Sequence, residues 1–177
     1  MCEHNGNIYT PRPVTIARTL PQIEHHRLFQ LSLEDGSSWE EFGHQPGQFI
    51  EVSVFGKGEA PISISSPPTR CDHLEICVRR AGKVTGAMFE MGKGSRLSIR
   101  GPYGRGFPVE TFKGHKLLFV AGGLGLAPLR SLLLYVLDKR KDFDDLILMY
   151  GTNRPDNVLF KYELLSFFDR DDIKYLY

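Results

Sequence analysis

The pattern of apolar residues changes once along the chain, between Phe112 and Lys116, and this change limits the possible folds. Before it, six short segments, many with alternating apolar and polar residues, are separated by clusters of glycine and proline. Such alternation predicts strands with one face in a core, and six of them with short turns favour a small antiparallel Greek-key barrel. The predicted strands are 14–20, 25–33, 48–55, 61–66, 74–80 and 95–101, and a short helix is predicted over 86–91, after Thr85.

After Lys116, longer apolar runs alternate with helix-like segments. The continuous run 116–122 predicts a strand that is buried on both faces. The whole order is strand, helix, strand, helix, strand, which is the unit of a parallel, doubly wound sheet. The segments are a strand over 116–122, a helix over 127–140, a strand over 145–151, a helix over 157–169 capped by Asp156 or Asn157, and a strand over 173–177.

Three parallel strands are half of an ordinary nucleotide-binding sheet, so the second domain is predicted to be truncated. Either the chain continues in a longer protein, or another subunit covers the exposed edge. The predicted organisation is therefore a barrel over 10–112 followed by a truncated α/β domain over 113–177.

Composition excludes several functional classes. The 177 residues carry a formal net charge of +1, which does not favour a nucleic-acid partner. No apolar run is long enough to span a bilayer, and no secretory signal pattern opens the chain, so a cytoplasmic protein without a membrane span is expected. The three cysteines form no C-x-x-C pair and cannot hold an iron–sulfur cluster alone, since four thiolates are needed. The histidines show no metal-ligand spacing, and the pair His25-His26 is predicted on a strand with its rings on opposite faces. No metal site is predicted.

The segment LLFVAGGLGLAPLRSLL, residues 117–133, joins a predicted buried strand to a predicted helix through three glycines. The glycine spacing differs from the G-x-G-x-x-G of dinucleotide-binding loops. A helix N-terminus still offers free N–H groups to an anion, and glycines allow close approach of a phosphate. The loop therefore predicts a nucleotide site; the alternative is a tight turn whose glycines serve packing alone.

The segment RRAGKVTGAM, residues 79–88, is a second candidate phosphate site. Thr85 is positioned to cap a helix, so that the N–H groups of Thr85, Gly86 and Ala87 would bind a diphosphate. The side chains that would add positive charge are Arg79, Arg80 and Lys83. The alternative is a capped surface helix beside a solvated basic hairpin.

Two further segments carry weaker signals. In EAPISISSPP, residues 59–68, alternating serines would direct hydroxyl groups to one face of a strand, although an edge strand with exposed serines gives the same pattern. RGPYGRGFP, residues 100–108, indicates a bend between the two halves.

The order of these motifs resembles the ferredoxin–NADP(+) reductase superfamily. A P-x-S-x-x-S strand, G-x-x-T, G-P-x-G and G-G-x-G-x-A-P follow one another over residues 10–177. The details PISISSPP, ICVRRAGKVT and IRGPYGRGFP are most similar to its electron-transfer subunits. These include the gamma subunits of cytoplasmic hydrogenases and the electron-transfer subunits of anaerobic sulfite reductase and of dihydroorotate dehydrogenase.

The resemblance implies a flavin on the barrel and a pyridine nucleotide, NAD(P)H, on the α/β half. It places Ser63 near flavin N5 as the candidate catalytic residue. The residues expected along the isoalloxazine are Pro61, Ile62, Ser63 and Ile64. Those expected beside the ribityl chain are Ile76, Cys77 and Val78, and those at the pyrophosphate are Gly82, Lys83, Val84 and Thr85. Those expected at the nicotinamide nucleotide are Gly122, Gly123, Gly125, Pro128, Tyr150, Gly151, Thr152 and Asn153.

The chain departs from the family's R-x-Y-S motif, because Ala60 and Ile62 replace its arginine and its aromatic residue. FAD is expected rather than FMN, because the G-x-x-T segment is intact. A [2Fe-2S] cluster is expected only on a missing C-terminal segment or on a partner, since the family carries its cluster cysteines there.

The resemblance implies an oxidoreductase subunit that passes electrons between NAD(P)H and a partner redox centre through FAD. The partners implied are other redox subunits, of the hydrogenase, sulfite reductase or heterodisulfide reductase type, or an iron–sulfur protein. Two alternatives stay open: a non-catalytic docking or assembly subunit, and a stand-alone NAD(P)H diaphorase.

Overall fold

The computed structural model describes residues 7–177 and contains one antiparallel and one parallel sheet. Cys2 and His4 lie outside the described residues. The strands are β1 (Arg12–Ile23), β2 (His26–Leu33), β3 (Phe49–Val54), β4 (Gly58–Ser63), β5 (Leu74–Arg79), β6 (Arg96–Tyr103), β7 (Leu117–Gly122), β8 (Leu146–Gly151) and β9 (Lys174–Leu176). The α-helices are α1 (Trp39–Phe42), α2 (Lys83–Phe89), α3 (Leu126–Asp138) and α4 (Lys161–Ser166).

The first six strands form the predicted antiparallel barrel. Their order is β4-β3-β6-β1-β2-β5, and a single bridge between Ile64 and Ile76 joins the two outer strands. Alternate residues of each strand point inward to a core that contains Val14, Phe29 and Ile50 at 0% exposure. Strand β4 begins at Gly58, earlier than the predicted start at 61, since the hairpin register with β3 extends to Val54.

The turn between β1 and β2 corrects the prediction for the histidine pair. His25 has a left-handed backbone (φ 59°) and lies in this turn, whereas His26 begins β2. Only His26 therefore follows the strand alternation. Helix α1, with its buried Trp39 and Phe42, is an element that the strand and turn pattern did not predict.

Strands β7, β8 and β9 form the predicted parallel sheet, in that order. Phe119 and Leu148 point to the face that packs on α3 and α4 and are nearly or completely buried. Leu118 and Val120 point to the opposite face and are 58% and 64% exposed. The prediction that this strand is buried on both faces is thus wrong for the described residues, because both helices pack on one side of the sheet.

The second helix of this unit is shorter than predicted. Helix α4 covers only Lys161–Ser166, and single turns of 3-10 helix at Pro155–Asn157 and Phe167–Asp169 occupy most of the remaining predicted range. Phe160 precedes α4 in a left-handed conformation (φ 53°), which interrupts the helical path after Asn157. Neither Asp156 nor Asn157 therefore caps α4.

The two sheets share a packed interface. Leu28 of β2 and Cys77 of β5 point away from the barrel core and belong to the apolar cluster of the α/β unit. Within residues 7–177, no helix has the length and apolar character needed to cross a bilayer.

Candidate functional site

The barrel is open between β4 and β5, and this opening brings together the residues predicted to contact a flavin. Beyond the bridge at Ile64 and Ile76, and the bond from the Ser65 N–H to the Glu75 carbonyl (2.8 Å), the two edges form no ladder in the described chain. Strand edges without a neighbour leave backbone N–H and C=O groups available to a ligand. The opening is therefore a site where backbone groups of β4 and β5 can bind a planar ring and its side chain.

The four β4 residues predicted along this ring differ in what they present. Pro61 is exposed, Ile62 and Ser63 are half-buried, and Ile64 is fully buried in the barrel core. The Ser63 hydroxyl forms no hydrogen bond to any described residue, so it is free to bond to a ligand atom. Ile64 offers only its backbone.

The three β5 residues are also restricted to backbone contacts. Ile76 and Val78 are fully buried in the barrel core, and Cys77 packs against the α/β unit. Burial raises the pKa of the Cys77 thiol to about 12, so this thiol stays protonated and unreactive. Burial also raises the pKa of the Cys71 thiol.

Helix α2 follows β5 directly and corrects the predicted phosphate site. The helix begins at Lys83 with Gly82 as its N-cap, three residues before the predicted start. The Gly86 N–H is bonded to the Gly82 carbonyl (2.7 Å), so it is not available to a phosphate. The free first-turn N–H groups of such a helix belong to Lys83, Val84 and Thr85.

Thr85 is the third helical residue rather than the cap. Its hydroxyl oxygen accepts hydrogen bonds from the N–H groups of Ala81 and Gly82, both at 3.0 Å. These two bonds fix the turn between β5 and α2. Thr85 thus shapes the candidate phosphate site by holding the preceding backbone.

A basic cleft of about 620 Å³ lies against α2 and fits an anionic group. Its charged lining side chains are Lys57, Arg80, Lys83, Arg96 and Glu90. Arg80 pairs with Glu90 and Arg96 pairs with Glu34, both at 3.0 Å, so the positive charge left to the cleft within the described residues comes from Lys57 and Lys83. Ala60 stands where the R-x-Y-S motif has its arginine, and this cleft is a second source of positive charge near the barrel opening.

A second cleft, of about 660 Å³, lies at the carboxyl ends of β7 and β8. This edge of a parallel sheet is where ligands of open α/β sheets bind. Its lining residues are Ile23, Glu24, His25, His26, Gly122, Gly123, Leu124, Gly151, Thr152, Asn153 and Asn157. Five residues predicted from the sequence meet here: Gly122, Gly123, Gly151, Thr152 and Asn153.

The glycines of this second cleft leave room for a ligand. No protein atom lies within 4 Å of the position that a Cβ would take at Gly123 or Gly151. Gly123 also needs its glycine for its left-handed backbone (φ +49°). The loop continues as a 3-10 turn over Gly123–Gly125 into α3. A bound nucleotide could therefore approach this backbone closely.

Three of the residues predicted for this cleft do not line it. Tyr150 is 2% exposed and lies beneath the glycine loop, where its hydroxyl donates to the Gly123 carbonyl at 3.1 Å. Gly125 and Pro128 lie further along the loop and the first turn of α3, outside the cleft lining. Tyr150 supports the loop instead of touching a ligand.

The hairpin between β1 and β2 supplies cleft residues that sequence reasoning missed. Ile23, Glu24 and the two histidines face the glycine loop from the barrel side. The only signal for them was the histidine pair, which the alternating pattern assigned to a strand. Asn157 reaches the same cleft and donates to the Asn153 side chain (2.7 Å). Among residues 7–177, no group of three or more His, Cys, Asp and Glu side chains is placed to hold a metal ion.

Two family models match the chain. The model described as "Oxidoreductase FAD-binding domain" matches residues 22–107, and that described as "Oxidoreductase NAD-binding domain" matches residues 119–175. The first range holds the barrel opening and the basic cleft, and the second begins in β7 and holds the glycine loop.

Two curated relatives come from Pyrococcus furiosus. Sulfhydrogenase 2 subunit gamma is 40% identical over 159 residues, which cover 90% of this chain and 54% of the relative. A probable dihydroorotate dehydrogenase B (NAD(+)), electron transfer subunit, is 31% identical over 158 residues, covering 89% of this chain and 56% of the relative. The chain therefore spans about half the length of these curated relatives.

Solved structures share the fold. Ferredoxin-NADP+ reductase from Plasmodium falciparum superposes with a TM-score of 0.80 at 16% identity, covering 99% of this chain and 72% of that one. Phthalate dioxygenase reductase superposes with a TM-score of 0.76 at 21% identity, covering 94% and 51%. At these identities the similarity establishes the fold alone.

Proposed function

Because the chain belongs to the oxidoreductases that join an FAD-binding domain to an NAD-binding domain in the ferredoxin–NADP+ reductase fold, we propose that it is an electron-transfer subunit. It passes electrons between NAD(P)H and a second redox centre through FAD. The observation that carries the proposal is the pairing of a backbone-lined opening in the barrel with a glycine-lined cleft on the parallel sheet. Both matched ranges fall within the proposed domains, 10–112 for FAD and 113–177 for the nucleotide.

The barrel opening between β4 and β5 holds the FAD in this proposal. Pro61, Ile62 and Ser63 contact the ring, the backbone of 76–78 follows the ribityl chain, and the turn at 82–85 faces the pyrophosphate. Charge comes from the basic cleft beside α2, where Lys57 and Lys83 compensate for Ala60. When bound, FAD supplies the hydride and single-electron chemistry.

The cleft beside β7 and β8 holds the nicotinamide nucleotide. The glycine backbone at 122–123 allows close approach, and Thr152 and Asn153 offer polar contacts from the end of β8. No acid–base side chain is required, because the protein's task is to set distance and orientation and to exclude water. Ser63 is the proposed side chain at the reacting atom of the ring, because its hydroxyl is free to donate a hydrogen bond there.

The electron acceptor is proposed from the relatives. Two are named as gamma subunits of sulfhydrogenases and several as electron-transfer subunits of dihydroorotate dehydrogenase B. A redox subunit of such a complex, or a [2Fe-2S] protein, is the proposed partner. Electron flow in either direction satisfies the same geometry.

Flavin retention tests this proposal most directly. The purified chain is expected to be yellow, or to become so after incubation with FAD, and to release FAD on denaturation. NADH or NADPH should then bleach the flavin absorbance under anaerobic conditions. A colourless chain that cannot be reconstituted with FAD would contradict the proposal and favour the non-catalytic docking role. The observation that supports this alternative is the replacement of the motif's arginine and aromatic residue by Ala60 and Ile62.

Thr85→Val tests the phosphate assignment. The change leaves the N–H groups of Ala81 and Gly82 without their acceptor and should weaken FAD retention about tenfold, measured by equilibrium dialysis. Thr111→Val is the matched control, since the exposed Thr111 hydroxyl donates to the Pro108 carbonyl and bonds to no residue of β4, β5 or α2. Equal retention in both variants would contradict the assignment.

A further inference from the structure

A buried polar seam joins helix α3 to β5 and to the segment that follows β4, the strand that ends at Ser63. It consists of Arg130 and Ser131 on α3 and of Ser65, Ser66 and Glu75 on the barrel. The Ser131 hydroxyl donates to the Ser66 carbonyl at 2.7 Å, and the Arg130 Nη1 donates to the Ser65 carbonyl at 3.0 Å. Ser131 is fully buried and Arg130 is 6% exposed, so both side chains are committed to these contacts.

Arg130 also joins three elements through charge. Its Nη1 lies 2.7 Å from Glu75 Oε2 on β5, and its Nε and Nη2 bind both oxygens of Glu163 on α4 at 2.8 Å. Its guanidinium lies 4.8 Å from the centre of the Phe160 ring. Burial alone would lower the pKa of Arg130, but the two carboxylates outweigh it and raise this pKa, so the residue is always charged. For the Glu75 carboxyl, burial acts to raise the pKa. The charge of Arg130 and a hydrogen bond from Gln30 lower it by more, so the pKa is below its usual value and Glu75 is ionised at neutral pH.

The seam lies close to both candidate cofactor sites along stiff stretches of chain. Helix α3 begins directly after Gly125, and Arg130 follows four residues after the first helical residue, about 6 Å along the axis. On the barrel side, Ser65 follows Ser63 by two residues, about 7 Å of extended chain. Movement of α3 against the barrel would therefore shift the glycine loop relative to Ser63.

The polar contacts of the seam are better suited to orienting α3 on the barrel than to stabilising the interface. Apolar packing around Leu28 and Cys77 already holds the two units together, but such packing has little directionality. A buried ion pair adds little net stability compared with apolar side chains of similar volume. Across the interface, the Arg130 Nη1 bonds to two acceptors on the barrel, the Ser65 carbonyl and Glu75 Oε2. The paired bonds to Glu163 on α4 fix the plane of the same guanidinium, so these two interface bonds are directional. Hydride transfer is sensitive to geometry, since a displacement of about 1 Å can cost about 100-fold in rate.

We propose that Arg130 and Ser131 are positioning residues that hold the nicotinamide loop in register with the flavin strand for hydride transfer. The inference rests on the proposed function. Arg130 and Ser131 lie outside both clefts, and in this proposal they set the separation of the two reacting rings.

The test compares the full FAD-loaded chain with two variants. Arg130→Lys keeps the charge but loses the planar guanidinium that reaches the Ser65 carbonyl, Glu75 and Glu163 together. Ser131→Ala removes the bond to the Ser66 carbonyl. The matched control is Arg170→Lys, because Arg170 also binds both oxygens of one carboxylate, that of Asp172, but this pair does not join α3 to the barrel. The loaded proteins are compared in FAD content, affinity for NAD+, melting temperature, and the rate and isotope effect of flavin bleaching by saturating NADH in a single turnover. Hydrogen exchange is measured on the flavin-free chains.

Arg130→Lys is expected to keep its FAD content and to bind NAD+ within about threefold of wild type, while hydride transfer slows about tenfold or more. The kinetic isotope effect with NADH deuterated at the transferred position should rise, which a general loss of folded protein would not produce. Hydrogen exchange in the flavin-free chain should increase at the amides of 65–66 and 122–126. Ser131→Ala should change the rate in the same direction by a smaller factor, and Arg170→Lys should stay within twofold.

Hydride transfer within twofold of wild type in both seam variants would overturn the proposal. A loss of rate that only follows lost FAD or a lowered melting temperature would overturn it as well, and would leave Arg130 a structural residue. Ser131→Ala decides the question if Arg130→Lys does not fold. If the wild-type chain takes up no FAD, the proposed function fails and the positioning role fails with it. Hydrogen exchange in the flavin-free variants then still shows whether the seam couples residues 65–66 to residues 122–126.

Discussion

At the scale of single residues, Tyr150 shows how a cleft can depend on a side chain that does not line it. The family resemblance placed Tyr150, at the end of β8, among the residues at the nicotinamide nucleotide. Strand alternation instead turns its ring inward, and its hydroxyl meets the Gly123 carbonyl and the Leu159 N–H (3.1 and 3.4 Å). Tyr150 therefore holds the glycine loop from below.

Tyr150→Phe should loosen that loop without disturbing the core. Of the two bonds removed, the one to the Gly123 carbonyl holds the loop, and its loss of about 1 kcal/mol corresponds to about a fivefold weaker binding of NAD+, measured by calorimetry. Tyr162→Phe is the control, because Tyr162 is 89% exposed. Unchanged affinity in Tyr150→Phe would show that the hydroxyl does not support the loop.

His44 is a second residue whose role only the tertiary structure defines. It is 5% exposed, and its Nε2 lies 3.1 Å from the Ser66 carbonyl, so the proton belongs on Nε2. Burial lowers the pKa of His44 from 6.5 to about 4. Because the unfolded chain binds this proton at higher pH than the folded chain, the His44 contribution to stability is fully present above pH 6.5 and is lost as pH falls toward 4.

His44→Gln should remove this part of the pH dependence. The wild type should lose about 3 kcal/mol of unfolding free energy from this group across that interval, and the variant should not. Urea unfolding at a series of pH values measures the difference. Parallel stability curves for the two proteins would refute the assignment.

At the scale of elements, the two faces of the parallel sheet differ in exposure to solvent although both carry apolar residues. Leu118 and Leu148 both lie in apolar strands, but Leu118 is 58% exposed and Leu148 is fully buried. On the exposed face, Val120 and Met149 are paired neighbours across the sheet, and Leu176 continues the row on β9. An apolar pattern alone therefore did not reveal which face the helices cover.

The same substitution on the two faces tests this sidedness. Leu148→Ala should cost about 2–5 kcal/mol of unfolding free energy, because it leaves a cavity beneath α3 and α4. Leu118→Ala should cost less than about 1 kcal/mol, because its side chain is already largely in water. Chemical denaturation gives both values, and equal costs would mean that the exposed face is covered in solution.

At the scale of the whole molecule, the two sheets are joined by contacts of several kinds. Leu28 and Cys77 pack on the α/β core, the seam around Arg130 crosses the interface, and Arg70 binds Asp138 at its edge. Separating the units would expose apolar surface and leave buried charges without partners, which is costly.

The chain should therefore unfold in one cooperative transition. Differential scanning calorimetry is expected to give a calorimetric enthalpy equal to the van't Hoff enthalpy. Two resolved transitions would show that the interface contributes little to the stability of either unit.

The sequence by itself determined the architecture and the location of the two candidate sites. Strand alternation, turn clusters and the later alternation of strands and helices predicted the barrel and the parallel sheet, because burial periodicity is a local property. The glycines at 122–123 and the G-x-x-T segment were found for the same reason, since each marks a backbone conformation or helix start within a few residues.

Only the tertiary structure decided which side chains face a ligand and what joins the two units. The inward turn of Tyr150, the burial of Ile64, the earlier start of α2 and the cleft face formed by His25 all depend on how distant segments pack. The partners of Arg130 lie 55, 65 and 33 residues away along the chain. Contacts at such separations leave no periodic signal, because the energy that fixes them arises when the barrel and the parallel sheet meet.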